Sequence, residues 1–138
     1  MERMAIVVRD DAYDKLLTPL TFAQLAADEG TQVDMLFVLW AVRVLTETGA
    51  KETTVDGRHA ADEPELRETM RAAGEPVEIA DQLRDLVATG RVNLYACRVA
   101  AATFGVSEAD LMAGVSGIVD ATWFLRERAI PSAHCQYF

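Results

Sequence analysis

Val92-Asn93-Leu94-Tyr95-Ala96, continuing as Cys97-Arg98-Val99-Ala100-Ala101-Ala102-Thr103-Phe104-Gly105, is a strand signal that runs straight into a helix signal. The first five residues are apolar-rich and short enough for a buried strand, and Gly105 follows Cys97–Phe104 as a helix stop. The same unit recurs upstream. Met4–Val8, closed by Arg9-Asp10-Asp11, has the composition of a strand buried on both faces, which favours a parallel sheet. Asp14–Asp28 then places Leu16, Leu17, Leu20, Ala23, Ala26 and Ala27 near helical spacing, with Gly30 beyond the end. Pro19 falls inside that pattern, so the helix either bends there or starts its regular part with Thr18 as N-cap; the reading leans to a bend.

Gln32–Trp40 repeats the buried-strand signal, and Ala41–Thr48 before Gly49 predicts a short helix. Lys51–Glu63 is polar and reads as an exposed loop in which only Thr53-Thr54-Val55 could form a strand. Pro64–Ala73 and Glu78–Thr89 are predicted helices, each followed by glycine. Ser107-Glu108-Ala109-Asp110 has capping-box spacing and opens a short helix through Ala113; Val119–Arg128 forms the next, and Ala133–Phe138 closes the sheet. Strands alternating with helices along the chain predict an α/β domain over residues 1–138 with a mostly parallel sheet of about five strands.

Composition removes several classes of function. At 138 residues, 51% hydrophobic, the chain can bury the core of one domain. A net charge of −9 and a pI near 4.6 have the wrong sign for a phosphate-backbone binder, so no nucleic acid is expected as partner. Its longest apolar run, Met35–Val42, is far short of the roughly 20 residues that span a bilayer. The opening Met1-Glu2-Arg3-Met4 leads into a short apolar run without the features of a secretory signal, so the expected compartment is cytoplasmic, with no membrane partner.

Cys97 is the most informative position, because a thiol at the carboxyl end of a parallel strand stands where open α/β sheets place their ligands. The following helix start and Arg98 would both favour thiolate over thiol, and thiolate is the reactive form. The alternative reading is a small buried hydrophobe between Ala96 and Val99–Ala102. Cys135 sits beside His134, but neighbours on a strand point to opposite faces, so the imidazole is poorly placed to deprotonate that thiol. With His59 and His134 the two cysteines show no zinc-ligand spacing, and no metal site is expected. Asp10-Asp11 resembles the acidic pair of receiver domains, yet Lys15 and Lys51 both come too early to supply their late lysine; the pair reads as a strand end preceding a helix. Neither phosphate-cradling glycine motif is present, and no cofactor is expected. Asp62, Glu63 and Glu65 read as a solvated helix start. Phe37, Trp40, Tyr95, Trp123 and Phe124 read as core or interface packing, with Phe37 and Trp40 able to wall a pocket at the end of the second strand.

Tyr95-Ala96-Cys97-Arg98-Val99-Ala100 followed by Phe104-Gly105-Val106-Ser107-Glu108-Ala109-Asp110-Leu111-Met112-Ala113-Gly114-Val115 resembles the segment of DsrE/DsrF-like proteins in which a cysteine precedes a short helix, a Gly-Val turn and an Asp-Leu helix. Leu20-Thr21-Phe22-Ala23 through Gly30 is similar to the family's first helix, and Met35–Trp40 to its aromatic second strand. The chain departs from that pattern at Ala41, where one subgroup has glycine, and at Arg98, where a smaller residue is common. The resemblance implies a three-layer α/β/α sandwich that assembles into a homo-trimer or hexamer. In sulfur-relay members it also implies a cysteine, here Cys97, that carries sulfur as a persulfide between donor and acceptor proteins. Arg98, Tyr95 and Trp40 are the supporting residues expected around it.

Three functions are therefore weighed: a sulfur carrier built on Cys97, a non-catalytic oligomeric module that binds a small ligand or partner segment, and a thiol-redox protein exchanging a Cys97–Cys135 disulfide. The third requires Cα atoms within about 7 Å of each other.

Overall fold

The computed structural model describes all of residues 1–138. Five strands, β1 (Arg3–Val8), β2 (Gln32–Phe37), β3 (Val92–Cys97), β4 (Gly117–Val119) and β5 (His134–Tyr137), form one sheet in the order β4-β3-β2-β1-β5. Every pairing is parallel. The helices are α1 (Tyr13–Asp28), α2 (Glu47–Lys51), α3 (Glu63–Ala72), α4 (Ile79–Ala88), α5 (Arg98–Phe104) and α6 (Ala121–Phe124). From β1 to β4 the sheet grows in one direction, and right-handed crossovers then place α1, α4 and α5 on one face. The return from β4 to β5 runs the other way, which puts α6 on the opposite face. A three-layer α/β/α sandwich results.

Strand alternation assigns residues to the two faces. Met4, Ile6 and Val8 pair in register with Val33, Met35 and Phe37, and these meet the buried side of α1: Tyr13, Leu16, Leu20, Ala23 and Ala27. Arg3, Ala5, Asp34, Leu36, Asn93, Tyr95 and Cys97 belong to the other face, where Tyr95 meets Trp123 and Phe124 edge-on at 5.4 and 6.0 Å. The core joins both faces in one buried apolar cluster.

Several boundaries differ from the sequence expectations. Helix α1 runs unbroken from Tyr13 through Pro19, so Thr18 is not its N-cap; Asp10 instead accepts a hydrogen bond from the Ala12 N–H at 2.9 Å before the first turn. Strand β2 stops at Phe37. Leu39 takes φ 49°, and the chain leaves the sheet as a 3-10 segment, Leu39–Leu45, in place of the predicted strand end and helix. Gly49 is inside α2, which Thr46 caps by accepting from the Gly49 N–H at 3.0 Å. The predicted loop carries a 3-10 turn, Gly57–Asp62.

Thr53 and Val55 are buried as a strand's residues would be, but their neighbours draw their backbone away from the sheet: the Val55 N–H donates to Glu63 Oε1 at 2.6 Å, and the Thr54 carbonyl accepts from Tyr13 N–H. The remaining strand is β4. Its Val119 was expected to begin a helix, whereas α6 starts at Ala121 and passes into a π turn, Leu125–Ala129. The helix predicted from Ser107 to Ala113 is only a 3-10 turn, Glu108–Asp110, because Leu111 bridges back to Thr46 and the Met112 N–H donates to Leu45.

Candidate functional site at the carboxyl end of the sheet

Strands β3 and β4 are neighbours, yet β3 is followed by α5 on one face and β4 by α6 on the other. This is the point at which an open α/β sheet splits its connections and leaves a crevice outside the strand ends. Cys97 is the last residue of β3 and the N-cap of α5, paired in register with Val119. The predicted helix start at Cys97 is thus shifted by one residue, and the thiol remains at the strand-to-helix junction. It is 7% exposed.

Arg98 spans the split. Its Nε donates to Asp120 Oδ1 at 2.8 Å and its terminal nitrogen to the Ile118 carbonyl at 3.4 Å, so the first residue of α5 is tied to the residue that caps α6. The guanidinium expected to steady an anionic sulfur is therefore held by a carboxylate. Because α5 has only seven residues, the field at its start is weaker than that of a long helix. Tyr95, on the same face two residues before Cys97, is buried beneath Trp123.

Trp40 lies beyond the end of the adjacent β2 and is 54% exposed. Its ring meets Phe104 at 4.7 Å, and Arg43 packs over both rings at 5.3 and 5.8 Å. Phe37, by contrast, is fully buried on the α1 face, so the expected Phe37–Trp40 wall does not form. Beside the Trp40 stack is a cleft of about 450 Å³ lined by Asp11, Arg43, Thr46, Glu52, Phe104 and Asp110 among others; Cys97 is not part of its wall. Asp11 pairs with Arg43 at 3.2 Å, and the Asp110 carboxylate is held below the usual range by hydrogen bonds from the Ser107 N–H and hydroxyl, both 2.8 Å. Asp10 pairs with Lys15. Of the other acidic residues, Asp62 accepts from His59 and Glu63 from Arg67.

The second thiol is elsewhere. Cys135 is in β5, with β2 and β1 between it and β3. Three strand spacings place the two cysteines about 14 Å apart across the sheet, twice the reach of a disulfide. That geometry removes the Cys97–Cys135 exchange reading. His134 and Cys135 point to opposite faces of β5, and the His134 imidazole lies 2.6 Å from Gln136. The Tyr137 phenol is instead raised above its ordinary 10.0, first by charge repulsion from the ionised Cys135 sulfur and then by hydrogen bonding to it. No three His, Cys, Asp or Glu side chains converge as metal ligands. No helix is long and apolar enough to cross a membrane.

Sequence reading missed Asp120, whose partner Arg98 is 22 positions away, and the Arg43 guanidinium that Trp40 and Phe104 share. It also missed Asp34, which is fully buried in β2. Only Asp34 left a local signal, a single carboxylate within an apolar strand.

A five-stranded parallel α/β/α sandwich with a cysteine closing its third strand at the split between connections defines the structural class. The DsrE/DsrF-like family model matches residues 2–124, and the chain belongs to that family. A solved structure from Methanobacterium thermoautotrophicum, described as a protein of unknown function, superposes with a TM-score of 0.66 at 16% identity, covering 99% of each chain. That likeness concerns the fold alone. No curated protein matches the chain.

Proposed function

We propose that this protein is a cytoplasmic sulfur carrier of the DsrE type, in which Cys97 accepts a sulfane sulfur from one protein and passes it to another. The observation that carries the reading is the position of Cys97 at the carboxyl end of β3, where β3 and β4 send their connections to opposite faces, in a chain of this family. In the loading step the Cys97 thiolate attacks the outer sulfur of a donor persulfide R–S–SH. The donor S–S bond breaks, a new S–S bond forms on Cys97, and R–S⁻ leaves as thiolate. Sulfane sulfur changes hands without net oxidation, so no cofactor is required. Unloading is the same exchange, with the acceptor thiolate attacking the outer sulfur on Cys97. Arg98, once free of Asp120, is the nearest cation in sequence to the persulfide anion; Tyr95 floors the site and Trp40 flanks it. The working form is a homo-oligomer, a trimer or hexamer, that engages donor and acceptor proteins.

Intact-protein mass spectrometry after incubation with a loaded persulfide donor tests the reading: wild type and Cys135→Ala gain one sulfur atom and Cys97→Ala gains none. The 450 Å³ cleft, with Cys97 outside its wall, favours the second reading, a binding module for a small ligand or partner segment. No sulfur gain in wild type together with an inert Cys97 thiol would move the assignment to that module.

A further inference from the structure

The crossovers leave the α6 face with one covering segment, α6 and its π turn, while the other face carries α1, α4 and α5. Cys97 belongs to this thinly covered face, and the segment begins immediately after Val119, the register partner of Cys97. We propose that residues 120–130 form a lid over the Cys97 end of the sheet, opening as a unit to admit a reactant to the thiol. The inference rests on the proposed use of Cys97, but access to the thiol is measurable whether or not it carries sulfur.

Two latches hold the segment. At its start Asp120 accepts from Arg98 at 2.8 Å across exposed side chains, a pair of small net worth in water. At its end Arg128 packs over Trp123 at 4.6 Å and faces Asp34, with Nε 3.4 Å from Oδ1. This second latch is incompletely bonded. Arg128 Nε and Asp34 Oδ2 are buried polar atoms without a hydrogen bond, and Asp34 is fully buried. An ion pair so placed recovers less of its desolvation cost than a fully bonded one. Around the second latch the Ile130 N–H bonds to the Leu125 carbonyl at 2.9 Å in the wider π geometry, a form that is rare overall and frequent at functional sites. Phe124, buried in the core and 6.0 Å from Tyr95, is the main apolar tie, with Trp123 half-buried beside it, so opening draws both rings off Tyr95.

The test follows alkylation of Cys97 in a Cys135→Ser background against urea. A lid predicts that the wild-type thiol reacts well below the rate of a free thiol, with a urea slope well under that of global unfolding, because only a short segment opens. Arg128→Gln unlatches the far end without changing charge beside the thiol and is expected to raise the rate about fivefold or more. Asp120→Asn, which keeps the size of the side chain and removes the charge that pairs with Arg98, is expected to act in the same direction, and Glu127→Gln to leave the rate unchanged. A wild-type thiol as reactive as a free one, a urea slope equal to that of global unfolding, or unchanged rates in both latch variants would each overturn the lid.

Discussion

Asn93 Nδ2 donates to Asp34 Oδ1 at 3.0 Å, joining β3 to β2 around a carboxylate that has no solvent exposure. Arg3 at 3.6 Å and Arg128 at 3.4 Å supply its compensating charge from β1 and from the segment after α6. One carboxylate therefore links three elements on the thinly covered face.

Asp34→Ala leaves Asn93 without this acceptor and two guanidinium groups without their anion. Both arginines reach water in part, so the expected loss is about 2 kcal/mol, below the cost of stranding a fully enclosed charge. Urea unfolding measures it, and an unchanged midpoint would show that the carboxylate contributes nothing net.

Gly114 has φ +91°, and a Cβ built on it would lie 2.6 Å from Val87 Cγ1. Gly114→Ala is expected to cost about 1–3 kcal/mol from backbone strain together with the clash. With Val87→Ala alone as the reference, the coupling in the double-mutant cycle measures the steric share. Zero coupling would assign the whole effect to the backbone.

Glu63 is held below its ordinary 4.5, first by the Val55 N–H and then by Arg67. A folded-state value below the unfolded one stabilises fully above the unfolded value and is lost as pH falls through the folded value. Glu63→Gln should thus be less stable than wild type at neutral pH, with the difference narrowing in acid. Denaturation curves at both pH values check the sign; a gap that widens in acid contradicts it.

The repeated strand-to-helix pattern was legible because buried parallel strands and amphipathic helices both write their burial into local composition. The Cys97 junction was legible for the same reason, since an apolar strand, a cysteine and a helix follow one another without a gap. The end of β2 was not. Val38–Val42 is as apolar as the strand before it, and the turn is made by Leu39 with positive φ, where no glycine marks the break. Strand β4 has three residues and begins with Gly117, too little for a period, whereas Thr53-Thr54-Val55 has strand composition but is held away by Glu63 and Tyr13. The Arg98–Asp120 tie joins residues brought together only by the pairing of β3 with β4, so no local pattern announces it.

The most direct test of the central claim is the mass of the intact protein after exposure to a loaded persulfide donor. A gain of one sulfur atom in wild type and Cys135→Ala, absent in Cys97→Ala, is the predicted result. A gain that survives in Cys97→Ala, or no gain in wild type, would contradict it.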